Sequence, residues 1–216
     1  MTAEAGREFV IKSVTTEAGN AFTVTSATDL ITVSSNPYTD NDQIVFSEGT
    51  APGGLEEGRI YYVVSTASDD FQVSLTEGGS AVTLTANAAD SCVIKKVTAT
   101  TQLAGLKSTS LSIDNTEVDV STKDDQGFRR MLDGISLKSM SMTGGGIFVN
   151  AATKATLLSN ALDGTIDHYQ LISGHGDRFE GAFQMNSIEV TGENEGVEEF
   201  SFTLGSSGGV AYVAAS

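Results

Sequence analysis

Gly105-Leu-Lys-Ser-Thr-Ser-Leu-Ser-Ile-Asp-Asn-Thr-Glu-Val-Asp-Val120 is the stretch on which the fold turns. Apolar and polar residues alternate along it with the two-residue period of a strand that has one packed face and one wet face. Leu111 and Ile113 keep the apolar side on odd numbers, whereas Val118 and Val120 keep it on even numbers. A one-residue slip sends every side chain to the other face, so the change of parity at Asp114-Asn-Thr116 predicts a bulge or bend there. Three acids, Asp114, Glu117 and Asp119, lie along this one β segment.

Downstream, a polar segment from Asp124 to Asp133 predicts one or two helical turns and carries the basic pair Arg129-Arg130. Residues 135–142 read as the next strand, which Gly144-Gly-Gly146 is expected to break before Ile147. Those glycines lack the Lys-Ser/Thr of a phosphate-binding loop and the frame of a dinucleotide turn, so a backbone bend is their expected role. A helix is predicted over about 150–163. Asn150 fits an N-cap, Ala151, Ala155, Leu158 and Leu162 form an apolar stripe to lay across a sheet, and Gly164 fits the C-terminal stop. Strands follow at 165–173, 178–191 and 197–204. In the last, Phe200, Phe202 and Leu204 alternate with Glu199, Ser201 and Thr203.

Upstream, residues 1–7 read as a polar arm and 8–14 as a strand. Seven short β candidates then recur about every ten residues, at 21–26, 29–34, 42–47, 60–65, 70–75, 80–85 and 91–97, with turn chemistry between them. That spacing predicts a small sandwich or barrel. Phe9-Val-Ile-Lys12 resembles Cys92-Val-Ile-Lys95, which suggests that 15–94 is an inserted module whose two ends emerge close together.

Composition narrows the function. The 216 residues hold 28 acids against 12 bases, a formal charge of −16, split as −8 in 1–96 and −8 in 97–216. Surfaces that grip nucleic acid neutralise phosphates with Lys and Arg, so this balance argues against such a surface. It is compatible with solubility, and with a surface that DNA must pass without sticking. One cysteine, Cys92, excludes an intrachain disulfide and reads as a small buried thiol. The N-terminus lacks the features of a signal peptide and no apolar run reaches the ~20 residues of a membrane span, so the expectation is synthesis and folding in a cytoplasm.

No catalytic constellation is legible. His168 sits in a strand and His175 in a turn, and no local motif joins either to a nucleophile. Asp40-Asn-Asp42 has alternating oxygen ligands but no calcium-loop continuation, and Asx turn chemistry accounts for it. No cofactor is expected. The strand acids Asp114, Glu117, Asp119, Glu189 and Glu199 are either ordinary solvated side chains or a deliberately negative face. Arg129 and Arg130 fit salt bridges to a neighbouring acidic subunit better than contacts to DNA.

The ordered set Gly105–Val120, Lys123–Asp133, Leu137–Phe148, Gly164–Gln170, Phe179–Gln184 and Ile188–Gly196, with Gly6–Lys12 at the start, resembles the major tail proteins that form the tube of long non-contractile phage tails and of related gene transfer agents. The likeness covers about 6–14 and 95–210. It implies a mainly β tail-tube sandwich or barrel with one flanking α-helix, built from 1–14 and 95–216, with the all-β module 15–94 on the tube exterior. It implies hexameric rings stacked into a hollow tube in the virion tail that conducts DNA at ejection. The partners would be further copies of the chain, a tape-measure protein, and distal tail and tail-terminator proteins, with no membrane and no enzymatic role. Asp114, Glu117, Asp119, Glu189 and Glu199 would then help to line the lumen, and Arg129 and Arg130 would contact neighbouring subunits. The competing expectation is an all-β binding module for carbohydrate or a host receptor, for which Tyr38, Tyr61 and Tyr62 are the candidate aromatic residues.

Overall fold

A computed structural model of the chain describes residues 9–87, 91–103, 106–125, 128–131, 138–147, 151–192 and 198–215. The expected arm 1–7, the N-cap Asn150 and strand residues 135–137 lie outside them. Strands β1 (Val10–Thr16), β2 (Thr23–Thr25), β3 (Leu30–Thr32), β4 (Gln43–Ser47), β5 (Ile60–Ala67), β6 (Asp70–Ser74), β7 (Val93–Gln102), β8 (Leu106–Asn115) and β9 (Lys138–Ile147) precede helix α1 (Ala151–Asp163). Strands β10 (Ile166–Ile172), β11 (Arg178–Thr191) and β12 (Glu199–Val213) follow it. All twelve join one sheet in the order β2-β3-β6-β5-β4-β7-β1-β10-β11-β12-β9-β8, so the fold is mainly β with one helix, as the sequence predicts.

Strand β7 is the hinge of this arrangement. Its first residues pair with β4 (Ile44↔Lys96, Ser47↔Val93) and its later residues pair with β1 (Val14↔Thr100, Lys12↔Gln102). The chain leaves the core sheet after β1 and returns on β7, the strand beside it. Asn20 bridges back to Ile94, with N–O distances of 2.8 and 3.0 Å, which curls β2-β3-β6-β5-β4 around its own apolar cluster. Ile31, Ile44, Phe46, Tyr61, Phe71 and Ile94 fill that cluster.

The core sheet folds over a second cluster. Ile11, Tyr169, Leu171 and Phe183 from β1, β10 and the first part of β11 meet Met142, Phe200, Phe202 and Leu204 from β9 and β12, with Leu157 of α1 beside them. The fold-over returns β8 to the start of β1, where Thr109 Oγ1 donates to the Phe9 carbonyl at 3.2 Å. Register shifts in β11 between Gly181 and Phe183 and between Met185 and Ser187 let this long strand bend. A third, small cluster of Val14, Val45 and Val97 with Ile60 seals the 17–92 barrel onto the outward side of β1 and β7.

Several sequence expectations change. Gly144-Gly-Gly146 does not break the strand, because β9 runs through it. A Cβ at Gly144 would lie 2.7 Å from the Phe202 ring, so the residue is small to let that ring pack flat on the strand. Residues 80–85 make only the single bridge Ser74↔Ala81. Lys123–Asp125 forms one 3-10 turn in the segment expected to be helical. Asp40 and Asp42 cap turns: Asp40 accepts from the Thr66 amide (2.9 Å) and hydroxyl (2.7 Å), and Asp42 accepts from the Thr39 amide (2.8 Å) and from Lys96 (2.6 Å).

The helix stripe is the clearest correction. Leu157 is 2% exposed and Ala161 packs beside it, whereas Leu162 is 87% exposed and Ala155 faces solvent. Asn160 Nδ2 donates to Asp167 Oδ2, a polar tie to β10 that holds the helix in this rotation. Leu157→Ala should therefore cost about 2–5 kcal/mol of stability. Leu162→Ala should stay within ~0.5 kcal/mol of wild type. Urea unfolding of the two variants checks the rotation, and a larger loss for Leu162→Ala would refute it.

Candidate functional site

Residues opposite one another in an antiparallel pair share a face, so register alone assembles a surface. Asp114 pairs with Ser139, Ser112 with Ser141 and Ser110 with Thr143. Thr143 continues to Thr203, Gly145 to Ser201 and Ile147 to Glu199. Thr203 continues to Ser187, Ser201 to Glu189 and Glu199 to Thr191. Four strands, β8-β9-β12-β11, thus present hydroxyls and acids on one side and Phe200, Phe202, Leu204, Met142 and Ile188 on the other. The polar side is open, with a shallow depression of about 310 Å³ bounded by Ser108, Thr143, Ser187, Glu189 and Ser201.

This face brings together three of the five acids singled out in the sequence: Asp114, Glu189 and Glu199. Glu199 accepts from Lys107 at 2.7 Å, and both side chains of the pair are 59% exposed. Glu117 and Asp119 are elsewhere. β8 ends at Asn115, and these two acids lie in the following loop, where Arg129 meets both at 3.2 Å. Hydrogen bonds from Ser121, and then Arg129, hold Asp119 below the ordinary carboxylate range. Asp119 bridges to Met131, and the Val120 amide donates to the Arg130 carbonyl at 2.9 Å, so this loop is a short ribbon with Phe128 78% exposed at its turn. Arg129 is committed to pairs within its own ribbon.

The edges of the four-stranded unit matter as much as its face. β10 pairs with β11 only as far as Ile166↔Gln184, so beyond the bend the outer edge of β11 has no strand partner among the described residues. On the opposite side β8 pairs with β9 and has no second strand partner among the described residues.

The outward side of β1-β10-β11 is covered instead. Glu180, 1% exposed, accepts from the Ile60 amide (2.9 Å) and from Gln170 Nε2 (2.9 Å), tying the 17–92 barrel to the core sheet. Gly58 approaches Gly181 so closely that a Cβ would meet its Cα at 2.7 Å. His168 contacts Ser47 Oγ at 3.2 Å across the same junction. No carboxylate orients this Ser-His contact: His168 Nδ1 has no partner among the described residues, and both side chains are buried, so the pair lacks the parts of a nucleophilic site. The thiol of Cys92 is pushed up to about 11, first by burial, which leaves it unreactive. The tyrosines expected as a sugar platform separate. Tyr38 and Tyr61 are 2% and 1% exposed in the barrel core, and only Tyr62 reaches the surface. Among the described residues no three His, Cys, Asp or Glu side chains group as a metal site, and no helix is long and apolar enough to cross a membrane.

Residues 66–212, more than half of the chain, match the phage tail tube protein family, and the chain belongs to that family as a structural component of the virion tail. Two solved structures are similar at 29% identity and a TM-score of 0.49, each over 53% of this chain. One, described as the virion of a native gene transfer agent particle, is covered over 89% of its matched chain. The other, the tail of an empty gene transfer agent particle computed with helical refinement and C6 symmetry, is covered over 87%. No curated protein matches the chain significantly.

Burial, and then the charge of Lys95, lowers His168 from 6.5 to about 4. Below pH 6.5 the unfolded chain takes up a proton that the folded chain refuses until about pH 4. The stabilisation is therefore complete above pH 6.5 and is lost as pH falls toward 4, by up to ~3 kcal/mol. Urea unfolding across that range should show a steeper loss in wild type than in His168→Gln, and parallel profiles would contradict the buried neutral imidazole.

Proposed function

We propose that this chain forms stacked hexameric rings whose β8-β9-β12-β11 faces line the tail tube as a non-adhesive conduit for DNA. One observation carries the reading: a four-stranded sheet whose two edges have no strand partner among the described residues, with a face of hydroxyls and acids. Unpaired edges are a hazard in a monomer and are removed when another copy covers them. Successive strands run antiparallel from β8 to β11. The β11 edge of one copy can therefore meet the β8 edge of the next in the same antiparallel sense, a head-to-tail contact that closes when the rotation suits a ring. The six-fold count comes from the family resemblance.

The charge fits the task. Duplex DNA carries one negative charge per ~1.7 Å of axis. Asp114 and Glu189 among serines and threonines would repel it over a Debye length of ~8 Å at physiological salt, which hinders binding and permits fast passage, and Glu199 beside them is paired with Lys107. Glu117, Asp119, Arg129 and Arg130 sit on the ribbon beyond β8. Their proposed place is the contact between subunits or rings rather than the wall.

The same geometry supports two units, 1–14 with 95–216 as the tube core and 15–94 as an exterior module. The barrel packs on the outward side of β1 and β10, and the acidic face lies on the far side of the shared apolar cluster. If one faces the lumen, the other faces out. A tape-measure protein inside the tube, with distal tail and terminator proteins at its ends, would complete the assembly, and no catalytic step is required.

Electron micrographs of concentrated protein should show rings or hollow tubes. A phage or transfer particle carrying Asp114→Lys with Glu189→Lys should assemble tails of normal length but eject DNA several-fold more slowly. Ejection at the wild-type rate would remove these residues from the conduit.

A further inference from the structure

A groove of about 330 Å³ runs along the seam between the barrel and the core sheet. That volume falls at the low end of the ~300–1,000 Å³ range of small-molecule sites. It is lined by Lys12 of β1, Thr100 of β7, Gln170 of β10 and Arg178 of β11, facing Gln43 and Tyr62 of the barrel. Its charge is opposite to that of the molecule. In a chain with 28 acids and 12 bases, Lys12 is half-buried and has no ion pair or side-chain hydrogen bond among the described residues. Arg178 reaches Glu180 only at 3.6 Å and is 42% exposed, so most of its donors are open. Glu180 is itself occupied by Ile60 and Gln170, which leaves the groove one positive charge in excess.

The neutral groups define the ligand further. Gln43 Nε2 donates to the Tyr62 hydroxyl at 3.0 Å, and Gln170 Nε2 donates to Glu180. Both amide oxygens are left as acceptors, and the Tyr62 and Thr100 hydroxyls remain able to donate. A simple carboxylate side chain would use the cations and hydroxyls and leave the two acceptors idle. A ligand carrying a carboxylate and several hydroxyls uses all of them. The half-exposed Tyr62 ring adds an apolar surface for the C–H face of a sugar. We propose that the seam groove binds an acidic saccharide of the uronic acid type, with Lys12 and Arg178 on its carboxylate and Gln43, Gln170 and Thr100 on its hydroxyls. The site needs both the barrel and the core sheet, and it belongs to the single chain whether or not tubes form.

The test uses the unassembled 216-residue chain. A tetrasaccharide of alternating glucuronate and N-acetylglucosamine is titrated into it, with the neutral N-acetylglucosamine tetramer as control, and amide NMR shifts are followed. Saturable shifts at Lys12, Tyr62 and Gln170 are expected with the acidic sugar, with at least tenfold weaker binding of the neutral one. Lys12→Met, which keeps the aliphatic stem, should weaken binding tenfold or more, and Lys12→Arg should largely preserve it. The absence of saturable shifts, equal binding of the neutral sugar, or unchanged binding by a folded Lys12→Met chain would overturn the assignment. So would a glutamate tetrapeptide that binds as tightly as the sugar, since it would point to an acidic protein segment instead. None of these outcomes bears on ring formation, which the micrographs test separately.

Discussion

The apolar cluster in which Phe200, Phe202 and Leu204 meet Tyr169, Leu171 and Phe183 is the constraint on which the other features depend. A sheet that folds over a single core has two outward faces, and they point away from each other. Strand alternation then decides what each carries. Along β1 and β10 the residues opposite the core are Lys12, Val14, His168 and Gln170, and the barrel packs on this side. Along β8, β9, β12 and the end of β11 they are serines, threonines and acids, and no other strand or helix among the described residues covers them. One face is used inside the subunit, and the other is the face proposed to line the tube.

This arrangement joins the barrel to the core without interrupting the core ladder. It enters and leaves between neighbouring strands, β1 and β7, so the ladder continues through the junction. The seal of Val14, Val97, Val45 and Ile60 excludes water, and the buried Glu180 satisfies the Ile60 amide across it. Buried acids are tolerated when their oxygens are bonded, and Glu180 has both oxygens engaged. The seam is therefore a fixed surface rather than a loose tether, and this fixed surface forms the groove around Lys12.

Much of this was legible in the sequence. Period-two alternation placed β8, β10, β11 and β12 and identified Phe200, Phe202 and Leu204 as the packed side. It also put Glu199 and Glu189 on wet faces. Register could not be read, because alternation within a strand says nothing of which partner lies opposite, so the convergence of Asp114, Glu189 and Glu199 appears only in the fold. The helix stripe misled for a related reason. Ala155, Leu158 and Leu162 are as apolar as Leu157 and Ala161, and the choice of rotation was made by tertiary contacts, including the Asn160–Asp167 bond. The triple glycine reads as a breaker by propensity, yet β9 keeps its ladder through it, and the Phe202 ring fills the space a side chain at Gly144 would take. Tyr38 and Tyr61 looked like surface aromatics, but Tyr61 alternates onto the packed side of β5, and Tyr38, in the loop before β4, packs on Phe71. Glu180 and Lys12 carried no local signal at all.

The hydroxyl and acid face of β8-β9-β12-β11 is proposed as the inner wall of a tube. A cryo-electron microscopy reconstruction of assembled tubes at side-chain resolution addresses it directly. The account predicts Asp114, Ser201 and Glu189 on the lumen surface, β11 of each subunit hydrogen-bonded to β8 of the next, and the 15–94 barrel outside. A lumen formed by the barrel, or by β1 and β10, with the acidic face turned to the exterior would contradict it.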